Sequence, residues 1–439
     1  MHAARTRRDR LTGGVVVAAA MAIMNVTTYG LTLAAARLLG PDEFGQFSAV
    51  LGALIVVNVG SLALQATGAR RVSTSLHARH QIESDVMATT RRVAVALLVI
   101  GLATAPLLDR VLRLESIWSA LSMAVAAALL CLMGGQAGIL QGEQRWTPLS
   151  LMYAAMGTAR LGCGLGALLV HRSAAAALIG VAVGAAVPAA VGAWALRHPD
   201  RTGDRSATAR PARSAGAPWE HGSILREVAH SSHALFAFFA ASNVDVLLAR
   251  AVLAPHDAGL YSAGLVLTKA VLFLPQFVVV VLFPSMAQSR TGARLHVYGL
   301  GTILAVGTTT SLAVLVLPGL TLQFAGGPTY ADVGPQLWAF AVLGTVLAMT
   351  QFLVYSALAR SHPRAVVTLW VGLVATIAGG LFVDSVSALL WLKLAIDVVV
   401  LLALAIQLLL VRSSGTALLP EDQAALLTDV TPPEQSPVR

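Results

Sequence analysis

Twelve long apolar segments, separated by short polar stretches, follow one another along the chain. A helix needs roughly 17–25 apolar residues to cross a bilayer, and these segments are of that order. The pattern therefore predicts an all-α polytopic membrane protein with twelve transmembrane helices. The spans are expected at about residues 12–38, 44–68, 93–109, 117–140, 149–171, 174–196, 226–252, 258–284, 297–318, 335–358, 365–383 and 387–411.

A stretch of nine residues occurs twice. Pro41–Ala49 reads PDEFGQFSA and Pro255–Ala263 reads PHDAGLYSA, so both follow P-x-[DE]-x-G-x-[FY]-S-A. Each copy lies between two apolar segments, where proline ends one helix, the acid caps the next and glycine permits a tight turn. A repeat at this distance indicates a chain built from two similar halves. Six spans in each half give both halves the same orientation and predict two pseudo-symmetric six-helix lobes with a cleft between them.

The polar stretches divide the chain into five parts. Residues 1–11 form a basic cytoplasmic N-terminus and residues 12–196 form the N-lobe. Residues 197–223, rich in Arg, Ser, Ala, Gly and Pro, are expected to form a flexible cytoplasmic linker. Residues 224–411 form the C-lobe, and residues 412–439 are expected to be a disordered cytoplasmic tail.

Composition and charge agree with a membrane protein and give its orientation. Of the 439 residues, 56% are hydrophobic and 12% are charged, with a mean hydropathy of +0.75. Among the 30 Lys and Arg residues, 22 lie at one set of predicted helix ends and loops, which we take as cytoplasmic, and three lie within spans. The remaining five lie at the outer ends: Arg37, Arg110, Arg113, Arg172 and Arg250. We therefore expect a multi-pass protein of the inner (plasma) membrane with both termini cytoplasmic, and the basic excess needs no nucleic-acid partner.

Two sequence runs carry a resemblance to a known family. The run ARLLGPDEFGQF at residues 36–47 and the run SNVDVLLAR at residues 242–250, followed by the second Gly-x-Tyr turn, resemble bacterial polysaccharide-biosynthesis membrane proteins. These are oligosaccharide flippases of the multidrug/oligosaccharidyl-lipid/polysaccharide exporter superfamily, and the topology match extends to about residue 411.

This resemblance implies a V-shaped pair of lobes that work by alternating access. It implies transport of an undecaprenyl-diphosphate-linked oligosaccharide from the cytoplasmic to the outer leaflet, for cell-surface polysaccharide biosynthesis. The implied partners are the lipid-linked glycan, membrane lipids and other polysaccharide-assembly proteins.

Two cations within predicted spans are candidate substrate ligands. Lys269 lies near mid-depth of the eighth span and Arg160 near the middle of the fifth. A charge at membrane depth costs several kcal/mol unless it faces water, a partner or a ligand. Two such cations suit a diphosphate group. The alternative for each is a structural ion pair or a side chain that snorkels to the interface.

Other polar residues within the spans are further candidates. Asp245 is a candidate for proton or sodium coupling, with neutralisation of a nearby Lys or Arg as the alternative. In the family that the chain resembles, the first and seventh spans flank the cleft, which makes Asn25, Tyr29 and Asn243 candidate substrate contacts; interhelical hydrogen bonds are the alternative. Lys393 and Asp397 stand four residues apart on one helix face and are expected to neutralise each other.

The sequence contains no nucleotide-binding loop, zinc-protease motif or nucleophile elbow, so we expect no cofactor, no metal and no catalytic residues. Two alternatives to the flippase remain. A cation-coupled multidrug exporter of the same superfamily would be favoured by a cleft dominated by carboxylates and aromatic rings, whereas Arg160 and Lys269 favour an anionic substrate. A membrane-embedded polysaccharide polymerase or glycosyltransferase is less favoured, because the longest outer connection, around residues 319–334, holds a single carboxylate, Asp332.

Overall fold

The computed structural model describes residues 2–74, 79–198, 233, 235–288, 292–358 and 363–416. All regular structure within these ranges is helical. The helices are α1 (His2–Leu38), α2 (Pro41–Thr74), α3 (Arg79–Val111), α4 (Ile117–Gly142), α5 (Trp146–Val170), α6 (Ala174–Arg197), α7 (Val244–Val252), α8 (Pro255–Gln288), α9 (Gly292–Val316), α10 (Pro318–Ala325), α11 (Leu337–Leu358), α12 (Pro363–Gly380) and α13 (Val386–Thr416), with a 3-10 helix at Pro328–Gln336.

The helices account for the predicted membrane spans. Within the described ranges, ten helical segments are long and apolar enough to cross a membrane, including Leu235–Val252, which contains α7. The 34-residue α8 lies at the predicted eighth span, and the shorter apolar helix α12 lies at the eleventh. The prediction of an all-α polytopic membrane protein is confirmed.

Local sequence explains where several helices begin. The hydroxyl of Ser173 accepts a hydrogen bond from the Ala176 amide at 3.2 Å at the start of α6. At the start of α2, Pro41 is the first residue, and Asp42 and Glu43 place negative charge in the first turn. The prediction that Gly45 forms a turn is wrong, because Gly45 lies within α2 and the chain turns at residues 39–40.

Helix boundaries differ from the sequence-based segments near the termini. Helix α1 begins at His2, so residues predicted as a separate basic N-terminus continue the first helix. The predicted connection at 319–334 folds into α10 and most of the 3-10 helix. The described residues include only 197–198 of the predicted linker and 412–416 of the predicted tail.

The chain packs as two sets of helices that meet along one surface. Helices α1–α6 pack mainly on each other, as do α7–α13, and the two sets meet mainly where α2 contacts α7 and α8. We call this contact surface the seam. Phe44 and Phe47 of α2 and Tyr261 of α8 are fully buried in one apolar cluster that includes both halves. Close side-chain packing of this kind holds helices together inside a membrane.

Candidate functional site

Lys269 and Arg160 come from opposite halves and lie within electrostatic range of each other. Lys269 is half-buried on α8, and Arg160 is half-buried on α5. Lys269 interacts electrostatically with Arg160 and with Asp245, yet it makes no hydrogen bond or ion pair to the part of the chain that the structure describes. The Nε of Arg160 is buried and has no hydrogen-bond acceptor among the described residues. Both cations therefore retain unused donors.

Asp245 is fully buried at the start of α7. Its Oδ1 accepts a hydrogen bond from the Val246 amide at 3.0 Å, and its Oδ2 accepts one from the Tyr261 hydroxyl at 3.1 Å. Lys269 and Lys393 both contribute favourable electrostatic interactions with this carboxylate. Asp245 thus stands beside two lysines without a direct ion pair to either of them.

Lys393 and Asp397 form the expected pair on α13. The Nζ of Lys393 donates to both carboxylate oxygens of Asp397, and Lys393 is fully buried. The prediction that these two residues neutralise each other is confirmed. Their charges still reach Asp245 electrostatically, so buried Asp245, Lys393 and Asp397 and half-buried Lys269 form one group of interacting charges in the second half.

Asn243 precedes α7 and lies at the seam. Its side-chain amide donates to the Phe239 carbonyl at 2.9 Å, while its Oδ1 is buried without a partner among the described residues. Its backbone carbonyl lies 3.7 Å from the position that a Cβ on Gly52 of α2 would take. The structure thus places Asn243 where the halves meet.

Asn25 and Tyr29 occupy one face of α1, which packs against α5, the helix that carries Arg160. Both side chains are partly buried. Tyr29 packs against the main apolar cluster. Nothing in the described geometry brings these two residues into contact with Lys269.

The repeated stretches contact each other at the seam. A Cβ on Gly259 would lie 1.9 Å from the carbonyl oxygen of Pro41, and a Cβ on Gly45 would lie 3.0 Å from the Gly259 amide nitrogen. Only residues without a Cβ allow the two backbones to approach so closely. We call this end of the bundle, where residues 39–40 and 253–254 connect helices, the turn end.

Further hydrogen bonds join the two halves at the turn end. The Tyr330 hydroxyl donates to the Ala36 carbonyl at 2.9 Å and stands 3.3 Å from the Leu39 carbonyl. The Arg37 guanidinium donates to the Gln323 carbonyl at 3.2 Å. Arg113 and Arg250 also bond across the seam, each to the opposite half. The halves are therefore tied together at this end.

Sequence reasoning missed Tyr261, Tyr330 and the seam contacts of Arg113 and Arg250. A signal for Tyr261 was available, because aligning Pro41 with Pro255 places Phe47 opposite Tyr261. The same alignment places Leu31 opposite Asp245 and Ile55 opposite Lys269. Three apolar positions of the first half are thus polar or charged in the second half, and two of those polar residues bond to each other.

Comparison with known proteins gives the fold a precedent. No protein-family model matches the chain, and no curated relative matches it by sequence. Among solved structures, the chain is similar to an inward-facing multidrug resistance MATE family transporter of the MOP superfamily, with a TM-score of 0.68, 10% identity and coverage of 92% of this chain and 98% of the other. An outward-facing MATE family transporter gives a TM-score of 0.58 with 11% identity, covering 92% and 96%.

The lipid II flippase MurJ in an inward closed conformation gives a TM-score of 0.66 with 13% identity, covering 88% of this chain and 87% of that one. The chain is thus a polytopic membrane protein that shares its fold with these solved structures. Two of them are described as MATE family transporters of the MOP superfamily.

Proposed function

We propose that the protein is a transporter that flips an undecaprenyl-diphosphate-linked oligosaccharide from the cytoplasmic to the outer leaflet by alternating access. The observation that carries this proposal is the pair of cations, Lys269 and Arg160, which come from opposite halves, lie within electrostatic range of each other and retain unused donors among the described residues. The solved structures to which the chain is similar include transporters and a lipid flippase. We therefore propose transport rather than catalysis as its activity.

An anion relieves the repulsion between these two cations. Like charges in a medium of low dielectric repel each other strongly, and an anion between them converts that repulsion into two attractions. A diphosphate offers several acceptor oxygens, enough for an ammonium and a guanidinium together. Each half supplies one cation, so a bound diphosphate attracts both halves at once. Alternating access requires such a ligand that contacts both halves.

The state of the seam supports an inward-facing conformation. The turn end is closed by contacts between the halves, and under alternating access the cleft would then open at the opposite end. The distribution of Lys and Arg predicts that the opposite end is cytoplasmic. The lipid-linked substrate would then enter from the cytoplasmic side of the inner membrane.

The other polar residues take supporting roles in this proposal. Asn243, with its unpartnered Oδ1 at the seam, is placed to contact a sugar hydroxyl, and Asn25 and Tyr29 extend such contacts along α1. Asp245 is the candidate for coupling transport to a proton or sodium ion, because it is a buried carboxylate held by a hydroxyl rather than by a direct ion pair. Other polysaccharide-assembly proteins are the expected partners.

Substitution of the two cations tests the proposal. We expect Lys269→Ala to abolish flipping of a fluorescent undecaprenyl-diphosphate glycan in reconstituted vesicles, and Lys269→Arg to retain part of it, because the positive charge survives. Arg160→Ala should weaken transport. The Lys269→Arg, Arg160→Ala double variant, built on the partly active single variants, should lose less transport than the two single losses combined if both cations grip one diphosphate.

Protein level is the necessary control for this experiment. A charge that was merely paired would leave its partner unsatisfied in the membrane and lower abundance instead of the transport rate. All variants are therefore compared at equal amounts of reconstituted protein. Lys269→Ala protein that flips the glycan at the unmutated rate would remove the basis of the proposal.

A multidrug exporter is the second candidate, favoured by the buried carboxylate Asp245 and by the MATE transporters among the similar structures. The two candidates differ in the charge of their cargo. Under the second, Asp245→Asn would abolish proton- or sodium-driven export of a cationic dye, and Lys269→Ala would leave that export intact. The same vesicles, loaded with either cargo, therefore discriminate between the two functions.

A further inference from the structure

Arg113 and Arg250 cross the seam in opposite directions. Arg113 lies in the connection after α3, and its Nη1 and Nη2 donate to the Leu253 and Ala251 carbonyls at 3.3 and 2.7 Å. Arg250 lies on α7, and its Nε and Nη2 donate to the Leu112 and Arg113 carbonyls at 2.9 and 2.7 Å. Each half therefore donates hydrogen bonds through one arginine and accepts them from the arginine of the other half.

The acceptors belong to helix C-termini. Helix α3 ends at Val111 and α7 ends at Val252, so the four bonded carbonyls lie in or just beyond the last turn of a helix. The last carbonyls of a helix lack partners within it and carry partial negative charge, which a cation stabilises. Each arginine thus completes the end of a helix that belongs to the opposite half.

The backbone at Arg113 is shaped for this exchange. Its φ is 46°, in the left-handed region that residues with a side chain rarely adopt. Such strain persists only where surrounding contacts maintain it, and it concentrates at functional sites. Here the Arg113 carbonyl receives the Nη2 of Arg250 while the Arg113 side chain extends towards Ala251.

Arg250 also lies within electrostatic range of three acidic side chains of the first half. Its side chain is 3% exposed, and its Nη1 is buried without an acceptor among the described residues. Three carboxylates of the first half, those of Asp42, Glu43 and Glu115, interact with it favourably by electrostatics. No ion pair joins Arg250 to these three described carboxylates, so they attract it to the first half from a longer range. Glu43 accepts a hydrogen bond from the Ala174 amide at 2.6 Å.

We infer that Arg113 and Arg250 form a latch that holds the turn end closed, in which each guanidinium binds backbone carbonyls of the opposite half. Opening the turn end breaks these four hydrogen bonds. The inference rests on the proposed alternating access but not on the identity of the cargo. It makes the two arginines determinants of how often the cleft opens at the turn end.

The test measures conformation rather than transport. Spin labels are placed on exposed residues of the two halves near the turn end, at His171 and Asp384, in a chain whose Cys131 and Cys163 are replaced by alanine. Pulsed electron resonance then gives the distribution of distances between the labels. We expect a single short distance in the starting protein, and in the Arg113→Ala, Arg250→Ala double variant at least about a fivefold rise in the fraction with a longer distance.

Two other arginines of the same end supply matched controls. Arg110 and Arg172 are exposed, and neither makes a hydrogen bond across the seam among the described residues. Arg110→Ala together with Arg172→Ala removes the same charge and should leave the distance distribution unchanged. The Arg113→Lys, Arg250→Lys double variant keeps both positive charges but loses the several N–H donors of each guanidinium. It should therefore give an intermediate open fraction.

The possible results distinguish failure of the latch from failure of the proposed substrate. If the double alanine variant keeps the short distance alone, or if the control pair opens the turn end equally, the latch is refuted. Should buried Arg250→Ala prevent folding, Arg113→Ala alone, at an exposed position, must still lengthen the distance. An open turn end in a protein that does not flip the lipid-linked glycan would leave the latch standing and overturn the proposed substrate.

Discussion

The hydrogen bond between Tyr261 and Asp245 distinguishes the second half from the first. Both residues are fully buried, and the corresponding first-half residues, Phe47 and Leu31, are apolar. Among the described residues, the buried carboxylates, Asp245 and Asp397, both lie in the second half.

The substitution Tyr261→Phe tests the hydrogen bond between Tyr261 and Asp245, because it removes only the hydroxyl group. The substitution introduces the residue found at the equivalent position 47, keeps the ring and removes one hydroxyl. We expect the free energy of unfolding to fall by about 1–2 kcal/mol, because Oδ2 of Asp245 loses its donor inside the protein. Thermal unfolding of the detergent-solubilised protein measures the change.

The same substitution in an Asp245→Asn background is the control. Without the carboxylate, the loss on changing Tyr261 should shrink below about 0.5 kcal/mol, since the bond being tested is already altered. Equal losses in both backgrounds would mean that the Tyr261 hydroxyl stabilises something other than Asp245.

Sequence could identify individual charged residues but not their partners. Lys269, Arg160 and Asp245 are recognisable because ionisable residues are rare within apolar spans. The seam bonds of Arg113 and Arg250 end on backbone carbonyls, which every residue possesses, so no pattern of side chains marks them. The pair Lys393 and Asp397 was predictable because both members lie on one helix face.

Among the elements, α2 and α8 fix the approach of the two halves. Their first turns cross at Gly45 and Gly259, where the backbone of one helix touches that of the other. The sequence suggested a turn for these glycines, because each copy lies between two apolar segments and glycine permits a tight turn. The need for a close contact became visible only when the two copies were placed beside each other.

Gly259→Ala should force the two helices apart at the turn end. The added Cβ would lie 1.9 Å from the Pro41 carbonyl oxygen, a distance that no local adjustment of a side chain can relieve. We expect a larger open fraction in the spin-label experiment. Gly45→Ala, whose Cβ would have its nearest atom at 3.0 Å, should have a weaker effect of the same sign.

Gly60→Ala on α2 is the matched control, because no atom lies within 4 Å of the Cβ position there. This change should stabilise the helix by up to about 1 kcal/mol through propensity alone and leave the label distance as it was. A Gly259→Ala protein that stays as closed as the Gly60→Ala protein would contradict the role assigned to the contact.

At the scale of the whole molecule, the fold was predictable because the bilayer restricts it. Apolar runs of helical length, an even number of spans in each half and one repeated stretch were sufficient to predict two packed sets of helices. The way in which the two sets of helices pack against each other was not predictable. The seam depends on close contacts between backbones and on hydrogen bonds between residues more than a hundred positions apart.

Orientation is the prediction that belongs to this scale. Both termini and the linker at 197–223 are expected in the cytoplasm, because most Lys and Arg residues lie on that side. Single cysteines at Ser214 and Ser436 should react with a membrane-impermeant maleimide only after the cells are opened. A cysteine at Asp384, near the turn end, should react in intact cells and serves as the positive control. Labelling of Ser214→Cys from outside would reverse the assigned orientation and with it the direction of transport.

The carbonyl acceptors of Arg113 and Arg250 have a consequence for how the chain can evolve. A main-chain oxygen remains whichever amino acid a codon specifies, so substitutions at Leu112, Ala251 or Leu253 leave the acceptors chemically intact. Only the two arginine codons encode the donors. Purifying selection on this contact would therefore fall on two positions, while the other side of each bond drifts without penalty, and descendants could share the mechanism while sharing little recognisable sequence around it.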